Sequence, residues 1–222
     1  MHDATDTESN RAPELDHLVA AAPSLAIGAA WVLDTFGVPA APGGKHARMS
    51  THNLLLRLDA GRYLEVIAVD PDAPAPDRPR WFGLDDAALQ SRLERGPRLI
   101  HWVCRCRDID ALAARVPALG AAHRMERGDL SWRITIPDDG SLPHDGIVPT
   151  LIEWDTATHP HARLPDVNLR LDSLAATHPR PGLVAKAMER LGVRTLLTLS
   201  RAPALASLRA SFTDPRGRRF VV

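Results

Sequence analysis

The chain predicts an α+β fold of paired βαβββ modules forming a cupped mixed sheet, with a third βαβββ-like segment at its C-terminal end. Two stretches, about 14–70 and 98–156, run through one order of elements, and histidine and glutamate recur at matching strand positions in both. The tail, 166–222, repeats the element order a third time. A repeated supersecondary unit ordinarily completes its core against a neighbouring copy.

The first module opens with a strand near Leu15 to Ala21. An amphipathic helix follows from Ser24 to Phe36, with Leu25, Ala29, Val32, Leu33 and Phe36 at helical spacing. Pro23 and Ser24 suit its start and Gly37 its stop. Beyond Pro42-Gly43-Gly44 come strand-like runs near Lys45 to Met49, His52 to Asp59 and Arg62 to Val69, the last two joined through Asp59-Ala60-Gly61. A proline-rich link, 71–79, and a short helix near Asp85 to Glu94 separate the modules. The second module has a strand (Leu99 to Cys106), a helix (Ile109 to Leu119) and strands near Ala122 to Met125, Ser131 to Ile136 and Thr150 to Asp155. The long loop PDDGSLPHDGIVP precedes the last of these. The third segment places strands near Val167 to Ala175, Arg194 to Leu199, Leu205 to Thr213 and Arg218 to Val222, with a helix from Pro181 to Leu191.

Composition narrows the function classes. Lys plus Arg number 27 and Asp plus Glu 27, so formal net charge is zero. That argues against nucleic acid or an anionic membrane as partner, since both require a cationic surplus. No stretch approaches the roughly 18–20 apolar residues of a membrane span. Residues 1–13 are polar and read as a disordered lead rather than a signal peptide. Two cysteines make no disulfide framework, and a cytoplasmic location is the expectation. Domains are expected at 14–165 and 166–222.

The candidate chemistry lies on equivalent strands. The opening strands read LDHLV and LIHWV, which places His17 and His101 at matching positions. The closing strands read YLEVI and TLIEW, which does the same for Glu65 and Glu153. Duplication would bring the four to one place, and two imidazoles with two carboxylates suit a divalent transition metal with room for substrate. Strand alternation puts Tyr63, Glu65 and Ile67 on one face, and His101, Val103 and Arg105 on one face. Cys104 and Cys106 then fall on the opposite side, as small apolar side chains beneath the helices. His52 is a candidate to line the cup and contact substrate, or else an edge residue. Arg105 is a candidate for a substrate carboxylate, or else a surface ion pair. Trp132 and Trp154 read as core or cup rim, and His159, His161 and His178 as structural residues of proline-bounded turns.

LDHLV, GGKHARMSTHNLLLRL…YLEVIAVDP and GIVPTLIEWDTATHP resemble the glyoxalase-like domain family of the vicinal oxygen chelate superfamily, over about residues 14–175. That superfamily includes glyoxalase I, extradiol dioxygenases, and fosfomycin and bleomycin resistance proteins. The resemblance implies a divalent metal (Ni, Co, Zn, Mn or Fe) held by His17, Glu65, His101 and Glu153, with Glu153 leaving the metal to move a proton. The expected activity is that of a metal-dependent lyase or isomerase on a small oxygen-rich substrate. Two alternatives are an iron-dependent extradiol dioxygenase and a non-catalytic ligand-sequestering protein of the bleomycin-resistance type. Relatives of these kinds often pair modules between chains, so a homodimer is a further expectation.

Overall fold

The computed structural model describes residues 11–222; the polar lead, apart from residues 11–13, lies outside the described residues. Among the described residues twelve strands make two sheets, accompanied by four α-helices.

In the first module β1 (Glu14–Ala21) leads into α1 (Leu25–Phe36), then β2 (Ala41–His46), β3 (Thr51–Arg57) and β4 (Tyr63–Val69). The Ser24 side chain accepts the Ile27 N–H to cap α1, and Gly37 ends it in the left-handed region at φ 73°. The predicted strand at 45–49 is instead the end of β2 followed by a 3-10 turn, Ala47–Met49. In the second module β5 (Arg98–Arg105) leads into α3 (Ile109–Ala114), then β6 (Ala121–Arg127), β7 (Leu130–Ile136) and β8 (Thr150–Trp154). Between the modules lies α2 (Ala87–Leu93), capped by Asp86.

The eight strands form one sheet in the order β2-β3-β4-β1-β5-β8-β7-β6. Each module pairs its first strand in parallel with its last, β1 with β4 and β5 with β8, and the modules join where β1 runs antiparallel to β5. The order is therefore symmetric about the β1/β5 seam. The sheet curls until its two edge strands meet: Arg127, at the end of β6, reaches His46 of β2 and Asn53 of β3.

The concave face carries Val19, Ile67, Val103, Ile134 and Ile152. The link between the modules does more than separate them, because Trp81, Phe82, Leu84, Leu89 and Leu93 pack into that apolar cluster and cover part of the cup. The convex face carries α1 and α3 and a larger core that includes Leu18, Leu64, Trp102 and Leu151.

The last segment has the element order β9 (Arg170–His178), α4 (Pro181–Leu191), β10 (Thr198–Arg201), β11 (Ser207–Thr213) and β12 (Arg219–Val221). Its pairing differs from that of the modules. β9 sits between β10, which is parallel to it, and β11, which is antiparallel, giving the order β10-β9-β11-β12. This small sheet packs on the convex side through Leu171, Leu174, Ala176 and Phe212, and α4 through Met188, with Phe212 edge-on to Phe36 at 5.3 Å. No helix among the described residues is long and apolar enough to cross a membrane.

Candidate functional site

The polar end of the cup is organised by Asp16. A register irregularity in β1 between Leu15 and His17 turns this carboxylate out of strict alternation, so that neighbours Asp16 and His17 meet directly. Asp16 is fully buried. Its Oδ1 accepts from His17 Nδ1 at 2.6 Å, and its Oδ2 accepts from His159 Nε2 at 2.9 Å and from Trp154 Nε1 at 3.1 Å. Burial alone would raise its pKa, but the donors His159 and His17 outweigh burial and hold the carboxyl well below the usual range. Asp16 is therefore a buried, ionised acceptor.

That bond assigns the His17 proton to Nδ1 and turns Nε2 toward the cup. There Nε2 lies 3.7 Å from Glu65 Oε2, beyond a direct hydrogen bond. Tyr63 stacks on the His17 ring at a centroid separation of 4.6 Å. Burial, with the carboxylates of Asp16 and Glu65, raises the Tyr63 phenol well above its ordinary pKa, so it stays protonated. Glu65 Oε1 accepts from Asn53 Nδ2 at 2.5 Å. Asn53 Oδ1 in turn accepts from Gly44 N–H at 2.9 Å and from the Arg127 guanidinium at 3.1 Å. Arg127 lies over the Trp132 ring, 6.0 Å from its centroid, and passes so close to Gly44 that a Cβ there would sit 2.7 Å from Arg127 Cδ. His46 joins this wall beside Trp81, and burial with the Arg127 charge pushes its pKa down to about 3.

Of the four expected metal ligands, the structure brings His17 and Glu65 near each other and engages or places the other two elsewhere. His101 does face the cup, but both ring nitrogens are engaged. Nδ1–H donates to Gly146 O at 2.9 Å, while Nε2 accepts the Thr150 N–H at 3.1 Å and lies 2.9 Å from Thr150 Oγ1. Burial pushes its pKa down to about 4, which keeps the ring neutral. Glu153 lies on the opposite face of the sheet. In β8 it is Ile152 and Trp154 that turn into the cup, whereas Glu153 accepts the Asp108 N–H at 2.7 Å and pairs with Arg133. It thus anchors the start of α3 and stands apart from His17.

The two candidate substrate contacts are also placed elsewhere. His52 alternates with Asn53 and turns to the other side of β3, with Nδ1 4.0 Å from Asp70 Oδ1. Arg105 is held at the strand ends by Glu14 Oε2 at 2.7 Å and Gly61 O at 3.1 Å. Cys104 packs in the convex core and Cys106 beside it, as alternation predicts. Reading by strand position passed over Asp16, Arg127 and the role of His159, which joins the site through Asp16 while His161 and His178 bond Leu58 O and Asp145.

Among the described residues no cluster of three or more His, Cys, Asp or Glu side chains is arranged to hold a metal ion. His17 Nε2 and Glu65 are the two donors that remain of the expected set, and the bonds that occupy His101 equally remove it from a three-ligand iron site. The residues do not fit the expected four-ligand centre.

The family described as a glyoxalase-like domain matches residues 15–192. A hypothetical protein from Staphylococcus aureus shares the fold, with 16% identity over 81% of this chain and 75% of that one at a TM-score of 0.57. Methylmalonyl-CoA epimerase from Mycobacterium tuberculosis is similar at 18% identity over 67% of this chain and 91% of its own, TM-score 0.39. A Streptomyces coelicolor methylmalonyl-CoA epimerase gives 18% over 68% and 100%, TM-score 0.43. No curated protein matches the chain. With a matched span covering both modules and the first strand and helix of the C-terminal segment, the chain belongs to the glyoxalase-like domain family.

Proposed function

We infer that the protein is a lyase or isomerase that moves a proton on a small oxygen-rich molecule, with His17 and Glu65 as the exchanging groups and Asp16 as the residue that positions His17. One observation carries this reading: His17 is set between two carboxylates, hydrogen-bonded to Asp16 at Nδ1 and separated from Glu65 by 3.7 Å at Nε2. With Nδ1–H committed to Asp16, the Nε2 lone pair opposes a carboxylate oxygen. A substrate X–H group placed beside the pair meets both acceptors at once, the arrangement that proton transfer requires. Asn53 fixes the Glu65 rotamer, and the Arg127 charge beyond Asn53 favours developing negative charge in the substrate. Stacked Tyr63 and the Trp81–Phe82 pair restrict water at this end of the cup.

Members of the superfamily often bind divalent metals. The donor geometry of this chain supports no step through one, so the proposed chemistry rests on its side chains alone.

The test is deuterium exchange in D2O at carbon positions next to a carbonyl, followed by proton NMR over a panel of small 2-oxo and 2-hydroxy acids. Wild-type protein, with and without a chelator, is compared with His17→Gln and Glu65→Gln. Chelator-resistant exchange that is lost in both variants is the expected result. Exchange that vanishes with chelator, or survives in both variants, overturns the reading.

A further inference from the structure

Outside the cup, a groove of ≈ 1270 Å³ runs between α2, the start of β5, the loop before β8 and the C-terminal sheet. It exceeds the roughly 300–1,000 Å³ of ordinary small-molecule pockets. One wall is apolar: Trp31 of α1, Leu99, Leu205, Leu208 and Val222. Leu205 is 80% exposed and contributes its apolar surface to this wall.

Charge is distributed unevenly along this groove. Each of its four carboxylates is engaged: Asp85 with Arg80 at 2.7 Å, Asp86 capping α2, Asp139 accepting from Ser141 N–H, and Asp145 held by His178 at 2.9 Å. The guanidinium of Arg98 has no such partner among the described residues, and its buried Nε makes no hydrogen bond. Burial, then the charges of Arg92 and Arg95, press Arg98 below the ordinary arginine range. The Arg98 guanidinium thus borders the groove with no carboxylate partner among the described residues, and an anion bound there would supply a charge-assisted one.

We propose that this groove binds an amphipathic carboxylate, a free fatty acid in chemical class, with its head on Arg98 and its alkyl chain along Trp31, Leu99 and Leu205. The occupant follows from the pairing of an unpartnered cation with an apolar wall. A compact polar anion would leave Leu205 exposed, and an uncharged alkane would leave Arg98 unsatisfied. The site is separate from the His17 cup and does not depend on the activity inferred there.

The experiment is calorimetric titration of the full chain with decanoate below its micellar concentration, beside decanol. Saturable binding of one decanoate per chain is expected. Arg98→Leu and Leu205→Glu, each checked for an unchanged melting temperature, should each weaken binding about tenfold or more, near the worth of one charge-assisted hydrogen bond. Arg98→Lys should recover part of the loss, decanol should bind about tenfold more weakly, and His17→Gln should bind as wild type. The absence of saturable binding overturns the proposal. So do equal affinity for decanol, indifference to both groove substitutions, or loss in His17→Gln. Attachment to phosphatidylglycerol vesicles without binding of monomeric decanoate assigns the surface to a membrane and likewise overturns it.

Discussion

Asp16 and His17 are sequence neighbours whose side chains hydrogen-bond each other at 2.6 Å inside the protein, a geometry that the regular alternation of a strand would forbid. Asp16→Asn keeps the shape and removes the charge. The amide must then present an N–H to one of the three donors His17, His159 and Trp154 that Asp16 now accepts. The expected cost is about 2–3 kcal/mol, read from urea unfolding, together with loss of proton exchange at unchanged fold. A variant as stable and active as wild type would remove Asp16 from its assigned role.

The paired modules were legible because the sequence carries two helices and two strand sets with recognisable caps and turns. Ser24, Gly37 and the hairpin at Asp59–Gly61 each punctuate the chain where the structure does. His17 and Glu65 were legible for a related reason: their strands alternate cleanly in the first module. Glu153 was not. TLIEW is apolar at Leu151 and at Ile152, so its pattern alone does not tell which face is the cup, and a one-residue change of phase moves a side chain across the sheet. Matching the two modules by motif overrode alternation at that strand. Asp16 escaped because a register irregularity leaves no sign in composition, and Arg127 because it reaches the site from the far edge strand only after the sheet has curled.

His101 and His46 make the fold acid-sensitive. Both are buried with pKa values pushed down, to about 4 and about 3, against 6.5 in the unfolded chain. As pH falls below 6.5 the unfolded chain takes up these protons first. Stability is therefore lost between pH 6.5 and about 4 for His101, and nothing is lost above that window. At pH 5 each residue costs on the order of 2 kcal/mol relative to pH 7.5. Urea midpoints at the two pH values should show the drop, and His101→Gln should show a shallower slope whatever its absolute stability. An unchanged slope would mean that the imidazole is solvated.

The thiols should be slow nucleophiles. Burial pushes Cys106 up to about 12 and Cys104 well above its ordinary value, so at pH 8 neither presents appreciable thiolate. Iodoacetamide at pH 8 should leave native protein unlabelled by intact mass and add two adducts in denaturant. Rapid single labelling of the native protein would place Cys106 in a more open setting than the convex core.

Gly44 and Arg127 should be energetically coupled. A Cβ at Gly44 would lie 2.7 Å from Arg127 Cδ, displacing the guanidinium that bonds Asn53 Oδ1 and lies 3.3 Å from His46 Nε2. Gly44→Ala should cost about 1–2 kcal/mol by overpacking. Arg127→Ala removes the obstacle, so the double variant should be no less stable than Arg127→Ala alone, and the double-mutant cycle should return a coupling near the full cost of Gly44→Ala. Strict additivity would show that the two edge strands do not meet through this contact, and with it the closure of the cup would lose its main polar support.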